Sequence, residues 1–493
     1  MNKRLIFKII GLILLIEAVF MLFPMIIGIA AGEGDWKYFL YTLIPCAAAG
    51  AGLFSVRIRN KNMYAKEGMA IVGLAWIILS LVGAVPYFIS GFIPDYINAL
   101  FESVSGFTTS GITVVADVEA ASHGMLFWRS LTHWIGGMGV LVFMLAISPV
   151  VGGSSMHLMR AEAPGPVTEK IKPRISTTAK WLYAMYLVLT ALEILALVID
   201  GLSPFHATLI SFGTLATGGF SYLNSSLAAF TASQQVIVEV FMVLAGINFS
   251  LYFLVVTGKV KKVLKDLELR WYLIILAAGS VLISLNVYFT RDQFTGFGEA
   301  FHQSAFAVIS GMTSTGFAAY DYNLWPGFSQ VILLILMFVG GCAGSTGGGI
   351  KVSRFVLAFK GLRGRIRETV NPKGTYNVKY NGKTVPENIL RSTFLYFLMV
   401  MVITIFSTVI VSLEPGMDIS TSIASVATTL NNNGIELKNS LVAGFASYAW
   451  WTRLVYIIDM LIGRLEIFPV VALFVFLFRP MEKAAGKVKK HLF

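Results

Sequence analysis

Long apolar stretches alternate with short polar ones along almost the whole of this 493-residue chain. A helix needs about 20 apolar residues to cross roughly 30 Å of hydrocarbon. The pattern therefore predicts ten membrane-spanning helices, at residues 5–31, 36–56, 67–91, 126–151, 181–201, 235–257, 271–290, 328–348, 391–413 and 450–478. The first stretch is longer than the ~7–15 apolar residues of a cleaved signal peptide, so we interpret it as a retained helix.

Four polar stretches interrupt the apolar pattern in the same way. They follow the third, fifth, seventh and ninth predicted spans. We call them the glycine loops: GFTTSGIT (106–113), TLATGGFS (214–221), GMTSTGFA (311–318) and TLNNNGIE (429–436). In each, a glycine is followed by Ile or Phe and preceded by two small or polar residues. These glycines are 108, 97 and 118 residues apart, which indicates an internal repeat of about a hundred residues.

A short helical stretch precedes each glycine loop, at 95–107, 203–215, 298–312 and 418–430. These stretches are too short to cross a membrane, and non-helical backbone at membrane depth is tolerated only where it is buried or lines a watery cavity. We therefore predict that each stretch enters and leaves the membrane from one side. Because two spans separate successive loops, all four enter from the same side and can surround one axis.

The chemistry of the glycine loops fits an ion path. Glycine allows close approach of the backbone, and a ring of carbonyl groups can replace the hydration shell of an alkali cation. Ca²⁺ and Mg²⁺ favour carboxylate ligands, which these positions lack. The predicted ion-lining residues are Thr109, Ser110, Gly111, Thr217, Gly218, Gly219, Ser314, Thr315, Gly316, Asn432, Asn433 and Gly434. Helix packing by small residues is the alternative for any single loop, and four matched loops favour the ion path.

Composition and charge agree with a membrane protein. Only 13% of the residues are charged, against about 25% in soluble chains. Most Lys and Arg residues, 32 of 38, lie in the two terminal segments and in every second loop: 1–8, 57–66, 158–180, 259–270, 351–391 and 479–490. This distribution predicts that both termini face the cytoplasm. The net charge of +12 therefore reflects orientation in a lipid bilayer and does not indicate nucleic-acid binding.

A glycine-rich segment, GGCAGSTGGGIK (the 340–351 segment), ends the eighth predicted span. It departs from the phosphate-binding pattern G-x-x-x-x-G-K-[ST] because Ile350 precedes Lys351 and Val352 follows it. Consecutive glycines disfavour a helix, so Gly347, Gly348 and Gly349 predict an interrupted span with a flexible segment under the glycine loops.

Charged residues within the predicted spans are expected to have interior partners. Arg464 lies near mid-membrane, where a charge costs roughly 2.5–3.5 kcal/mol. It is predicted either to face the interior in a functional role or to pair with Asp459 or Glu466. Other ionisable residues in or near the spans are predicted to hold the repeats together by polar contacts: Glu102, Arg129, His133, Glu193 and Glu239. Neither H-E-x-x-H nor G-x-S-x-G occurs, so we expect no enzyme and no bound organic cofactor.

The chain resembles the Trk/Ktr/HKT superfamily of cation transporters. Four features carry this resemblance: the glycine loops, the 340–351 segment, FWRSLTHWIGGMG (127–139) and GRLEIFP (463–469). The two additional N-terminal spans resemble its TrkH branch. This resemblance implies an all-α polytopic membrane protein, with four tandem helix–pore loop–helix repeats around one pore and two extra transmembrane helices before them. The implied divisions are 1–60 for the N-terminal helices and 61–160, 161–265, 266–370 and 371–493 for the repeats.

The resemblance also implies a function. It predicts a potassium-selective, channel-like uptake protein of the bacterial inner membrane, a homodimer regulated by a cytoplasmic TrkA-like nucleotide-binding subunit. Potassium would be the transported ion. A gate is implied at Gly347, Gly348, Gly349 and Lys351, with Arg464 lining the pore below the filter.

Two other transport functions remain open. One is a Na⁺-permeable protein; related plant transporters that prefer sodium have serine at the first filter glycine, so Gly111 favours potassium. The other is an H⁺- or Na⁺-coupled symporter, a class that often uses inverted repeats. The two spans per repeat give all four units the same orientation, which favours a pore.

Overall fold

The computed structural model describes residues 2–58, 65–139, 175–290, 294, 296–372, 376–435, 437, 444–465 and 470. Within these ranges the regular secondary structure is helical apart from one small hairpin. The helices are α1 (Lys3–Ala30), α2 (Trp36–Phe54), α3 (Ala65–Gly83), α4 (Val85–Ile89), α5 (Tyr96–Phe107), α6 (His123–Gly137), α7 (Ile175–Ile199), α8 (Pro204–Leu215), α9 (Ala232–Ala245), α10 (Phe249–Val256), α11 (Val260–Leu264), α12 (Leu267–Thr290), α13 (Phe297–Thr313), α14 (Gly327–Val339), α15 (Val352–Val370), α16 (Glu387–Val411), α17 (Ile419–Leu430) and α18 (Trp450–Leu465). Single 3₁₀ turns lie at Tyr322–Leu324 and Phe445–Ser447.

Six predicted spans are present as helices long and apolar enough to cross a membrane, counting only the described residues: α1, α2, α3 with α4, α7, α12 and α16. The fourth and tenth predictions are covered in part by α6 and α18. Residues 140–151, 466–469 and 471–478 of those two predictions lie outside the described residues. The fold is thus the predicted all-α membrane architecture.

The span predicted at 235–257 is broken into two helices. The helices α9 and α10 meet at an angle of 92°. The amide N–H of Ser250 bonds to the side chain of Asn248, which therefore caps a new helix directly after Gly246 ends the first one. The apolar run continues through this point, so hydropathy alone conceals the break.

The span predicted at 328–348 is also too long. The helix α14 ends at Val339, because Gly340 adopts a φ of 74° that ends the helical path. The 340–351 segment that follows is non-helical, as its glycines predicted, and α15 begins directly after it.

The four short helices predicted before the glycine loops are confirmed as α5, α8, α13 and α17, and they occupy equivalent places. Each packs against the helix before it, the helix after it, and the second helix of another repeat. The neighbours are α3 with α4, α6 and α18 for α5; α7, α9 and α6 for α8; α12, α14 and α9 for α13; and α16, α18 and α14 for α17. The contact between α18 and α5 joins the fourth repeat to the first, so the arrangement is cyclic.

A two-stranded antiparallel hairpin, β1 (Lys379–Tyr380) and β2 (Lys383–Thr384), lies between α15 and α16. Its turn is Asn381–Gly382, with φ of 48° and 78°. Asn-Gly is the preferred pair for a two-residue turn of this hand. This hairpin was not among the predicted elements.

Candidate functional site

All four short helices end in the same turn. The residue two positions before each loop glycine has a left-handed backbone, with φ of 56°, 55°, 61° and 49° for Thr109, Thr217, Ser314 and Asn432. The next residue donates its N–H to the carbonyl five residues back, over 2.9, 2.7, 3.0 and 3.0 Å in the four repeats. This is the Schellman arrangement, which usually places glycine at the left-handed position. Left-handed backbone costs a non-glycine residue roughly 1–2 kcal/mol, so this strain is repeated four times around the molecule.

The glycines of the loops close a ring. A Cβ added to Gly111 would overlap the carbonyl oxygen of Gly218, and one added to Gly219 would overlap that of Thr315. One added to Gly316 would overlap the backbone of Gly434. Each loop therefore contacts the backbone of the next.

The fourth loop completes this ring in a different way. A Cβ on Gly434 would lie 3.3 Å from the carbonyl oxygen of Ser110, in the first loop. Gly111, Gly219 and Gly316 have φ between 74° and 86°, whereas Gly434 is outside the left-handed region. The structure thus brings all twelve predicted ion-lining residues to one place, with the fourth loop diverging as its sequence does.

The asparagines of the fourth loop bind its neighbours through their side chains. The amide of Asn432 donates to Ser110 Oγ and to the carbonyl of Met460, both over 2.8 Å. The amide of Asn433 donates to the carbonyl of Gly311 over 2.6 Å. These side chains therefore join the fourth repeat to the first and third.

A buried ion pair supports the first two loops from behind. Arg129 Nε donates to Glu102 Oε1 over 2.8 Å, and both side chains are almost completely buried. Glu102 also accepts from the hydroxyl of Thr113 and the N–H of Val114, each over 3.0 Å. The Arg129 guanidinium lies 4.1 Å from the centre of the Phe220 ring. Arg129 also donates to the carbonyl of Ser221 over 3.3 Å and so joins the first repeat to the second, whereas these contacts of Glu102 lie within the first repeat.

His133 joins the same two repeats. Its Nδ1 lies 2.7 Å from the carbonyl oxygen of Gly106, and its Nε2 accepts from the N–H of Phe220 over 3.2 Å. This arrangement requires a neutral ring that carries its proton on Nδ1, because Nε2 must present a lone pair. The side chain also fills the space beside Gly218, where a Cβ would overlap the ring.

The 340–351 segment lies against the ends of the short helices of the third and fourth repeats. A Cβ on Gly347 would lie 2.7 Å from the carbonyl oxygen of Thr313, and one on Gly348 would overlap that of Asn431. The N–H of Gly348 donates to Ser314 Oγ. The segment is also held by Lys351, whose Nζ donates to the carbonyls of Gly347 and Gly348.

Arg464 contacts the same segment. It donates to the carbonyl of Thr346 over 2.9 Å and, from the other side, to those of Gly136 and Gly137 over 2.6 and 3.1 Å. Asp459, one predicted partner, instead accepts from the hydroxyl of Ser407 over 2.8 Å. Glu466, the other predicted partner, lies outside the described residues. Arg464 therefore bridges the 340–351 segment and the end of α6.

Comparison with known proteins agrees with this architecture. The family model TrkH, described as a cation transport protein, matches residues 37–484. The "Trk system potassium uptake protein TrkH" of Salmonella typhimurium is 35% identical, over 96% of this chain and 99% of that one. The protein of the same name from Halomonas elongata is 34% identical, over 96% and 98% of the two chains.

A solved structure is similar as well. The crystal structure of the potassium transporter TrkH from Vibrio parahaemolyticus has a TM-score of 0.86 and 32% sequence identity, covering 96% of this chain and 98% of that one. With the family model matching most of its length, the chain belongs to the TrkH family of cation transport proteins.

Proposed function

We propose that this protein is a potassium-selective, channel-like uptake protein whose filter is formed by the four glycine loops. The observation that carries this proposal is the closed ring, in which each loop glycine meets the backbone of the next repeat. Such a ring can present neutral carbonyl groups to a dehydrated alkali cation. The similar proteins named above are potassium uptake proteins or a potassium transporter, which supports the same ion.

The 340–351 segment is the proposed gate. It is non-helical, lies directly against the ends of two short helices, and is held there by Lys351 and Arg464. Ion flow along the axis would require this segment to move aside. Gly347, Gly348 and Gly349 suit that movement because glycine has the widest range of backbone angles.

The proposal extends to the surroundings of the protein. We place it in the bacterial inner membrane with both termini in the cytoplasm, as the distribution of Lys and Arg predicts. The resemblance supports a homodimer and a cytoplasmic TrkA-like nucleotide-binding subunit. Such a subunit would act on the gate through the basic side of the molecule.

Flux measurements on the purified protein in liposomes test this function. We expect Rb⁺ and K⁺ uptake to exceed Na⁺ uptake and to follow an imposed membrane potential without a proton or sodium gradient. Equal uptake of Na⁺ and K⁺ would instead support the Na⁺-permeable alternative. Uptake that requires a second ion gradient would support a symporter. Liposomes without protein and liposomes with the Gly316→Ser variant provide the controls.

A further inference from the structure

The carboxylate of Glu268 holds both ends of the 340–351 segment. This residue lies in the first turn of α12 and is 5% exposed. One of its oxygens, Oε1, accepts from the N–H of Ala343 over 2.6 Å and from the N–H of Ser353 over 3.1 Å. Ala343 is near the start of the segment and Ser353 is in the first turn of α15, so one atom joins the two ends.

This contact replaces a missing helix cap. The first N–H groups of a helix have no partner within it and attract negative charge. Lys351 stands at the N-cap of α15 but forms no side-chain cap hydrogen bond. Glu268, from a different helix, supplies the acceptor instead. The position of α15 relative to the segment therefore depends on a carboxylate that α12 carries.

The hairpin β1–β2 connects Glu268 to the surface of the molecule. At its tip, Asn381 accepts from the N–H of Leu267 over 2.9 Å and donates to Asp266 over 2.7 Å, the two residues before Glu268. The Tyr380 side chain is buried, and this burial, together with the nearby Glu268 carboxyl, raises the pKa of the phenol. Lys360 of α15 donates to the carbonyl of Lys379 over 2.9 Å. The hairpin thus contacts both the start of α12 and α15.

We propose that Glu268 is a positioning residue that keeps the 340–351 segment in its blocking place, and that the hairpin β1–β2 transmits cytoplasmic contacts to it. The effect on ion flux rests on the proposed gate function, whereas the effect on the position of the segment does not. A contact that displaces the hairpin would move Asn381 and Tyr380, shift Glu268, and free both ends of the segment together.

The 340–351 segment contains a cysteine whose reactivity can report the position of the segment. Cys342 is a free thiol, completely buried, and adjacent to Ala343. The other cysteine, Cys46, is buried between α1 and α2 and can be removed as Cys46→Ala. In that background, the rate of Cys342 alkylation by a maleimide reports how often the segment leaves its place.

Three variants and one control test the proposal. Glu268→Ala should raise the alkylation rate by about tenfold or more, because it removes the acceptor of the two hydrogen bonds that hold the ends of the segment. Glu268→Gln keeps an oxygen acceptor and should restore slow alkylation. Asn381→Gly keeps the turn but loses the contacts to α12, so its rate should lie between those of wild type and Glu268→Ala. The control, Glu368→Ala, removes an exposed carboxylate of α15 and should leave the rate unchanged.

Potassium flux into liposomes is measured on the same preparations, after thermal unfolding confirms that each variant is folded. Faster alkylation with higher flux supports both the positioning role and the gate. Faster alkylation with unchanged flux supports the positioning role and contradicts the gate. Unchanged alkylation in folded Glu268→Ala, or equal acceleration in Glu268→Gln, overturns the proposal.

Discussion

At the scale of single residues, the ring of glycine loops depends on the absence of side-chain atoms at a few places. Gly111 and Gly316 combine a left-handed backbone with direct contact to the backbone of another repeat. Gly91 also has a left-handed backbone, with φ of 75°, but nothing lies within 4 Å of its missing Cβ. Comparing substitutions at Gly91 with those at Gly111 and Gly316 therefore separates the effect of backbone strain from the effect of packing between the loops.

We predict that Gly111→Ser and Gly316→Ser each lower the preference for K⁺ over Na⁺. The added side chain would overlap the backbone of the neighbouring loop and displace it, so we expect the preference to fall by roughly tenfold. Competitive Rb⁺ and Na⁺ uptake in liposomes measures it. Gly91→Ser is the matched control and should keep wild-type selectivity. Unchanged selectivity in both loop variants would remove these glycines from the filter.

The guanidinium of Arg464 presents a fixed positive charge beside the proposed ion path. A cation about 4 Å away would be repelled by roughly 4 kcal/mol at an effective dielectric constant of 20. We predict that Arg464→Ala increases K⁺ flux and leaves the order of ion selectivity unchanged. Arg464→Lys retains the charge but not the forked contacts, so it should raise the flux less than Arg464→Ala does. Thermal unfolding accompanies the flux measurement, because an unstable Arg464→Ala protein with no gain in flux would indicate a purely structural role.

At the scale of elements, the second helix of the second repeat and that of the third are both interrupted near the end of a short helix. In the third repeat the interruption is the 340–351 segment, and in the second it is the 92° bend after Gly246. The two are linked, because the N–H of Cys342 donates to the carbonyl of Gly246 over 2.9 Å and the N–H of Phe249 to that of Gly344 over 3.0 Å. The bend thus provides a surface on which the proposed gate rests.

Removing the centre of the gate should open the path. We predict that deletion of Gly347, Gly348 and Gly349 raises K⁺ flux several-fold, since these residues fill the space against Thr313 and Asn431. Selectivity should be retained, because the glycine loops are a separate element. Wild-type flux from a folded deletion protein would place the gate elsewhere.

Local sequence predicted some of these elements and concealed others. The four short helices were predictable because each stretch and its loop repeat the same spacing of small, polar and apolar residues. The bend at Gly246 was missed because apolar residues continue on both sides of it, although the N-capping Asn248 was a usable signal. The Asn381–Gly382 turn was a second such signal. The partners of Arg464 and Glu268 were not predictable, because they come from helices distant in sequence.

At the scale of the whole molecule, the charge distribution and the order of the helices together define two faces. Basic residues occupy α11 and α15, whereas the loops that carry Asp117 and Glu119 are on the side where the short helices begin. On the face that carries Asp117 and Glu119, the first two repeats are also joined: Asn224 donates to Asp117 over 2.8 Å and accepts from the N–H of Val118, also over 2.8 Å.

Cysteine labelling tests this orientation. Ala120→Cys and Lys261→Cys place single exposed thiols on the two faces, while the native Cys46 and Cys342 are buried. We predict that a membrane-impermeant maleimide labels Ala120→Cys in intact cells and Lys261→Cys only in inverted vesicles, as the excess of Lys and Arg on cytoplasmic loops requires. The reverse labelling pattern would show that the molecule has the opposite orientation in the membrane, and it would exclude a filter that faces outward.

The shared ending of the four short helices has a consequence for how a cation is held. Each helix carries a partial negative charge of roughly half an elementary unit at its C-terminal end, from carbonyl groups without intrahelical partners. The cyclic packing aims four such ends at one region, next to loops whose twelve central residues have no carboxylate. The attraction for a cation would then come from peptide dipoles, which have no proton to gain. Acidification that neutralises Asp and Glu side chains would leave this source of affinity intact.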